Sequence, residues 1–174
     1  MRIAVSGTHF SGKSTLIESL LEYVPHYLSV DEPYFLLEEE GYEFSDPPIL
    51  EDYEAQLERF IVAIQESQKN TLFDRCPFDC LAYMLASGEV DLENWIPRVK
   101  GGIKRLDLII FVPIEHRDRI PVPFSEDLKL RMLVDEKLQE LLLYDSLGIL
   151  DSIEVLEVTG SLESRVKMVK TFLS

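Results

Sequence analysis

The string Gly7-Thr8-His9-Phe10-Ser11-Gly12-Lys13-Ser14 narrows what this chain can become more than any other feature. It fits G-x-x-x-x-G-K-[ST] at every fixed position, and its flanks supply the context such a match needs. Ile3-Ala4-Val5 leads in as a short apolar strand. Lys13 to Tyr23 leads out as a helix, with Leu16, Leu20 and Val24 on one face. Glycines permit backbone conformations that aim successive N–H groups inward, and a helix start adds its own N–H groups and the positive end of its dipole. The segment Gly7, Thr8, His9, Phe10, Ser11, Gly12, Lys13, Ser14 and Thr15 is therefore the expected cradle for a nucleotide's phosphates. Lys13 is placed to reach the β- and γ-phosphates, the Ser14 hydroxyl to take Mg²⁺, and Thr15 to meet the α-phosphate. His9 and Phe10 fall at variable positions and read as loop or packing residues.

The rest of the chain alternates apolar runs with helical periodicity, without repeats or low-complexity linkers. Tyr27 to Val30 reads as a second strand. Asp46-Pro47-Pro48 reads as a helix start, with Asp46 as N-cap, and Leu50, Tyr53, Leu57, Phe60 and Ile64 recur at three- and four-residue steps toward Lys69. Thr71 to Phe73 is a third strand, Pro77 to Ser87 a helix, and Asp91 to about Arg105 another, with Pro97 as a point of breakage. Leu108 to Val112 does not alternate, as expected of a strand buried on both faces. Pro113, Pro121 and Pro123 mark an irregular stretch. Ser125-Glu126-Asp127 then caps a long helix ending at Gly148, Ile153 to Val158 is a fifth strand, and Ser161 caps a last helix whose stripe is Leu162, Val166, Val169 and Phe172. Strands alternating with helices predict an α/β fold of three layers, α/β/α, around a five-stranded, mainly parallel sheet. A chain of 174 residues fits one domain, 1–174, with a lid at about 113–125.

Composition bounds the partners. Lys and Arg number 17 against 32 Asp and Glu, a formal charge of −15. Such a surface repels polyanions, so neither nucleic acid nor an anionic membrane is expected. No apolar run approaches a membrane-spanning length, and the apolar start is too short for a secretory leader, which points to the cytoplasm. Cys76 and Cys80 match neither a redox pair nor a zinc ligand set and read as reduced thiols.

A guanine-reading N-K-x-D string is absent. Motor and AAA-type ATPases show four apolar residues followed by Asp-Glu, whereas two strands here end in Phe73-Asp74-Arg75 and Val112-Pro113-Ile114-Glu115, which argues against that class. The run Asp74-Arg75-Cys76-Pro77-Phe78-Asp79-Cys80-Leu81-Ala82-Tyr83 points elsewhere. With the phosphate-binding string before it and Val158-Thr159-Gly160-Ser161 and Arg165-Val166 after it, the chain resembles the phosphate-loop kinase-like ATPases. These include the nicotinamide riboside kinase domains and are related to the deoxynucleoside and thymidylate kinases.

The resemblance implies an Asp that helps hold Mg²⁺, which falls on Asp74, and an Arg that contacts substrate or phosphate, which falls on Arg75. The residues agree, because a carboxylate at the C-terminal edge of a parallel strand sits in the crevice where open α/β sheets bind ligands. Asp31-Glu32-Pro33 resembles the Glu-Pro of deoxynucleoside kinases and makes Glu32 the candidate base for a substrate hydroxyl. Glu115-His116-Arg117-Asp118-Arg119 lies where related kinases carry an arginine lid. Arg117 and Arg119 are its candidates, with Arg131 assisting.

Charge along the chain is polarised. Lys and Arg are absent after Lys13 until Arg59 while acids abound, and Arg98, Lys100, Lys104, Arg105, Arg117 and Arg119 follow. An acidic acceptor side favours an unphosphorylated alcohol over a phosphorylated one. The function expected is an ATP- and Mg²⁺-dependent phosphotransferase acting on a hydroxyl of a small metabolite, a nucleoside or nucleoside-like compound. The other class is an ATP-binding or ATPase module that senses or regulates without an acceptor. The partners expected are a nucleoside triphosphate and a small-molecule acceptor, with a homodimer left open.

Overall fold

The computed structural model describes residues 1–88, 90–115, 121–123 and 127–174. Five strands form one sheet in the order β2-β3-β1-β4-β5, every described pairing being parallel. They are β1 (Arg2–Ser6), β2 (Leu28–Val30), β3 (Thr71–Asp74), β4 (Leu108–Phe111) and β5 (Glu154–Glu157). Ala4 lies opposite Phe73 on one side and Ile109 on the other, which fixes the register of the three central strands.

The pleat sends alternate residues into two separate cores. Ala4, Phe73, Ile109 and Phe111 face a core built with α3 (Leu50–Glu66), α4 (Pro77–Ser87), α5 (Leu92–Ile103) and α6 (Leu128–Leu142). Ile3, Val5, Leu72, Leu108 and Ile110 face the other, against Leu16, Ile17 and Leu20 of α1 (Lys13–Tyr23) and Val169 of α7 (Leu162–Leu173). Helices on both faces of a parallel sheet give the three-layer α/β arrangement expected. Both faces being buried explains why Leu108 to Phe111 does not alternate.

Several boundaries differ from the sequence expectation, each for a visible reason. A short helix, α2 (Pro33–Glu39), follows β2 where no helix was expected; Pro33 occupies its first turn. The next helix begins at Leu50 rather than after Asp46, because the buried Asp52 carboxylate accepts from Ile49 N at 2.9 Å, Ser45 N at 3.3 Å and the Tyr42 hydroxyl at 3.1 Å. Pro97 lies inside an unbroken α5. The long helix stops at Leu142, short of Gly148; Asp127 caps its start by accepting from Lys129 N and Leu130 N at 3.0 Å. Ser125 and Glu126 lie outside the described residues. On α7, Ser161 caps by accepting from Ser164 N, but Leu162 and Phe172 are exposed, and the buried positions are Arg165 and Val169. No helix among the described residues is long and apolar enough to cross a membrane.

Candidate nucleotide and acceptor site

The turn between β1 and α1 takes the conformation its glycines allow. Gly12 sits at φ 95° as the residue before α1. Gly7 sits at φ 152°, and a Cβ there would lie 2.5 Å from the Val112 carbonyl oxygen, so the residue following β4 leaves no room for a larger side chain. Phe10 also adopts a left-handed φ of 55°. Lys13 folds back over the turn, its Nζ donating to the Thr8 carbonyl at 2.9 Å. Burial, followed by the charge of Arg75, lowers its pKa from 10.5 to about 8.

A cavity of about 280 Å³ opens over this turn. His9, Phe10, Gly12, Lys13, Ser14 and Thr15 line it from the turn, and Glu32, Asp74 and Arg75 from the ends of β2 and β3. Asp74 Oδ1 is buried there without a hydrogen-bond partner. Burial raises the Asp74 pKa, while Lys13, the next contribution in size, pulls it down. Among the described residues no three His, Cys, Asp or Glu side chains are grouped to hold a metal alone. An orphaned carboxylate oxygen on a residue that lines the same cavity as Ser14 fits a divalent ion that takes its remaining ligands from phosphate oxygens and water.

A second cavity, of about 310 Å³, adjoins the first and shares His9, Glu32 and Arg75 with it. Its walls are largely aromatic. Tyr34 and Phe35 come from α2, Tyr53 and Gln56 from α3, and Asp79, Cys80 and Tyr83 from α4. Tyr34 stacks on Phe44 with centroids 4.3 Å apart, and Tyr53 stacks on Tyr83 at 5.5 Å with an interplanar angle of 12°. The Tyr83 hydroxyl and His9 Nδ1 lie 2.7 Å apart. Burial, then Arg75 and Lys13, lower the His9 pKa from 6.5 to about 4, so its imidazole is neutral at physiological pH.

Glu32 and Arg75 stand between the two cavities as an ion pair, Arg75 Nε donating to Glu32 Oε2. Burial acts to raise the Glu32 pKa, but the charge and hydrogen bond of Arg75, with Lys13 and His9, outweigh it and the net shift is downward. Glu32 is therefore ionised at neutral pH. Arg75 Nη1 also lies 3.8 Å from Asp79 Oδ1. Asp79, fully buried, accepts from Cys76 N at 2.8 Å to cap α4 and from Gly7 N at 2.9 Å, tying that helix to the phosphate-binding turn.

Lys13, Ser14, Thr15, Glu32, Asp74 and Arg75 thus meet at one place, as their positions in the sequence led us to expect. Arg117 and Arg119 lie outside the described residues. Arg131 does not reach into the cavity over the turn; from α6 its guanidinium donates to the carbonyls of His9 at 2.9 Å and Phe10 at 3.4 Å. The charge polarity read from the sequence does not map onto the two cavities. Of the acids between Ser14 and Glu58, only Glu32 lines the acceptor side, while Glu38, Glu39 and Glu40 are exposed. Arg98 lies over the Trp95 ring and pairs with Glu58, and Lys100 pairs with Asp151, away from both cavities. Asp79, Tyr83 and Arg165 lie in the strings that carry the resemblance, but no role at the site was expected of them, because what places them at the turn is tertiary contact. Asp79 also carries a local signal, as N3 of a helix begun by Cys76-Pro77.

A parallel sheet with this phosphate-binding turn, and an acidic and a basic residue at the end of the adjacent strand, defines a phosphate-loop kinase-like fold. The family model described as an AAA domain matches residues 2–165, and the chain belongs to that family. The lack of a strand with four apolar residues before an Asp-Glu pair therefore did not exclude an AAA description. Among solved structures, deoxyadenosine kinase from M. mycoides with bound dATP superposes with a TM-score of 0.68 at 17% identity, over 99% of this chain and 98% of that one. The NadR protein in complex with NAD and AMP-PNP superposes at 0.69 with 20% identity, over 98% of this chain and 49% of that one. At these identities the likeness is one of fold. No curated protein matches the chain.

Proposed function

We propose that the protein is an ATP- and Mg²⁺-dependent phosphotransferase whose acceptor is a hydroxyl of a small, ring-bearing metabolite of the nucleoside kind. The observation that carries this reading is the pair of adjoining cavities, one over the phosphate-binding turn and one walled by aromatic rings, joined at Glu32 and Arg75. An acceptor-free ATPase has no use for the second. The fold matches to deoxyadenosine kinase and NadR support the same reading.

In this reading the turn and Lys13 hold the triphosphate, and Ser14 and Asp74 would hold Mg²⁺, which screens the phosphate charge when bound. The aromatic walls take a flat ring at their π-faces. Glu32, already ionised, accepts a hydrogen bond from the acceptor hydroxyl and takes its proton late, as a loose phosphoryl-transfer transition state requires. Arg75 orients Glu32 and stands beside the transferring group, where its fixed charge offsets developing negative charge. Arg117 and Arg119 are proposed to close over the phosphates and exclude water. Among the described residues the only cation lining the acceptor cavity is Arg75, which is committed to Glu32 and Asp79, so among them an acceptor already bearing a phosphate finds no free counter-charge.

The test is ADP release from Mg·ATP over a panel of nucleosides, nucleoside monophosphates, nicotinamide riboside and acceptor-free buffer. Acceleration by the unphosphorylated compounds is expected. A rate equal in acceptor-free buffer and in every acceptor overturns the transferase reading in favour of an ATPase or sensor.

A further inference from the structure

Two buried arginines, from helices on opposite faces of the sheet, bond to carbonyls of the phosphate-binding turn. Arg131 of α6 is 3% exposed and Arg165 of α7 is 6% exposed. Neither lines the cavity over the turn. Arg131 donates through Nε to the His9 carbonyl at 2.9 Å and through Nη2 to the Phe10 carbonyl at 3.4 Å. Arg165 donates through Nη1 to the Ser11 carbonyl at 2.7 Å. Its Nη2 meets Glu115 Oε1 at 2.8 Å, and the same oxygen accepts from Gly160 N at 2.9 Å.

A peptide unit is planar and trans, so its N–H points opposite to its C=O. Carbonyls of His9, Phe10 and Ser11 held by these guanidinium groups therefore turn the N–H groups of Phe10, Ser11 and Gly12 the opposite way, each away from its arginine. Phe10 and Gly12 are among the residues that line the cavity over the turn. Arginine suits the task because its planar fork presents several donors in fixed directions, and because it stays charged when buried.

We propose that Arg131 and Arg165 are positioning residues for nucleotide binding, holding the peptide planes of the turn so that its N–H groups face the phosphates, and that Glu115 sets the orientation of Arg165. The two arginines act through backbone geometry and not through their charge alone. Through Glu115 and Gly160, Arg165 also joins the turn to the segment after β4 and to the loop between β5 and α7, so the turn and two neighbouring loops share one anchor.

The proposal rests on the turn being a phosphate site, and the test separates the two. Inorganic tripolyphosphate and Mg·ATP are titrated calorimetrically into the wild type, Arg165→Lys, Arg131→Lys and Lys13→Ala, with melting temperatures read alongside. The Lys variants keep the positive charge but lose the forked donor geometry. They are expected to remain folded and to bind both probes about tenfold or more weakly, the scale of one charge-assisted hydrogen bond. Lys variants that stay within about twofold of wild type, while Lys13→Ala loses binding, overturn the positioning role and leave the phosphate site standing. A wild type that binds neither probe overturns both. Glu115→Gln, which keeps an acceptor oxygen but weakens the hold on Arg165, provides the reading if either Lys variant fails to fold: about threefold weaker binding at an unchanged melting temperature is expected, and unchanged affinity overturns the proposal.

Discussion

Lys13 holds an ammonium group at 7% exposure, and its pKa falls from 10.5 to about 8 because burial, and then Arg75, disfavour the charge more than Asp79, Asp74 and Glu32 favour it. At about 1.4 kcal/mol per tenfold change in a proton equilibrium, holding this lysine charged destabilises the free protein by ~3 kcal/mol below pH 8. Its hydrogen bond to the Thr8 carbonyl, lost on truncation, contributes about 1 kcal/mol in the other direction. Lys13→Met keeps the unbranched stem and removes the charge, so it is expected to stabilise the nucleotide-free protein by about 2 kcal/mol at neutral pH. The sign follows from proton counting. Between about 8 and 10.5 the unfolded chain binds more protons at this residue than the folded one, so wild-type stability rises with pH across that window. The advantage of Lys13→Met therefore fades as the pH approaches 10.5. Urea denaturation in EDTA at neutral pH and near pH 10 measures both. Added Mg·ATP should reverse the order, since only the wild type gains stability from binding. A Lys13→Met protein no more stable than wild type at neutral pH would refute the view that the site holds this charge at a cost to the fold.

Four further outcomes follow from named contacts. Glu32→Gln should lower acceptor-dependent ADP formation by about a hundredfold or more, with ATP affinity changed no more than a few-fold; loss of affinity with an unchanged rate would place Glu32 outside the chemistry. Asp79→Asn leaves Gly7 N or Cys76 N without its acceptor and weakens the counter-charge of Arg75, so a loss of about 2–3 kcal/mol in urea denaturation is expected. Gly7→Ala should cost about 1–3 kcal/mol and weaken nucleotide binding, because its methyl meets the Val112 carbonyl. His9, its pKa lowered to about 4, should show no imidazole titration by NMR from pH 5.5 to 8; its contribution to stability is present above the unfolded value near 6.5 and declines as the pH falls toward 4.

Much of this fold was legible because it is local. The run from Leu108 to Val112 announced a strand buried on both faces, and the glycine-framed turn announced what lies at either end of it. The helix α2 was not legible: Tyr34-Phe35-Leu36-Leu37 is apolar without a period, and seven residues are too few to show one. That helix carries two of the aromatic walls of the acceptor cavity. On α7 the period-3.6 reading placed Leu162 and Phe172 inside, whereas Arg165 is buried because it has carbonyl and carboxylate partners. Such partners are set by tertiary contact. Nothing near residue 165 in the sequence refers to Ser11, and nothing near Asp52 marks it as the cap of α3 in preference to Asp46.

The turn that begins at Gly7 takes its supports from Asp79, Arg131 and Arg165, the last of them 154 residues further along the chain than Ser11. Contacts of such long sequence separation form late, after the loop entropy between them has been overcome. During synthesis, which runs from the N-terminus, the cradle residues emerge first and are completed last. A nascent chain therefore carries the whole phosphate-binding string long before it can grip a nucleotide, and becomes competent only when its seventh helix has docked.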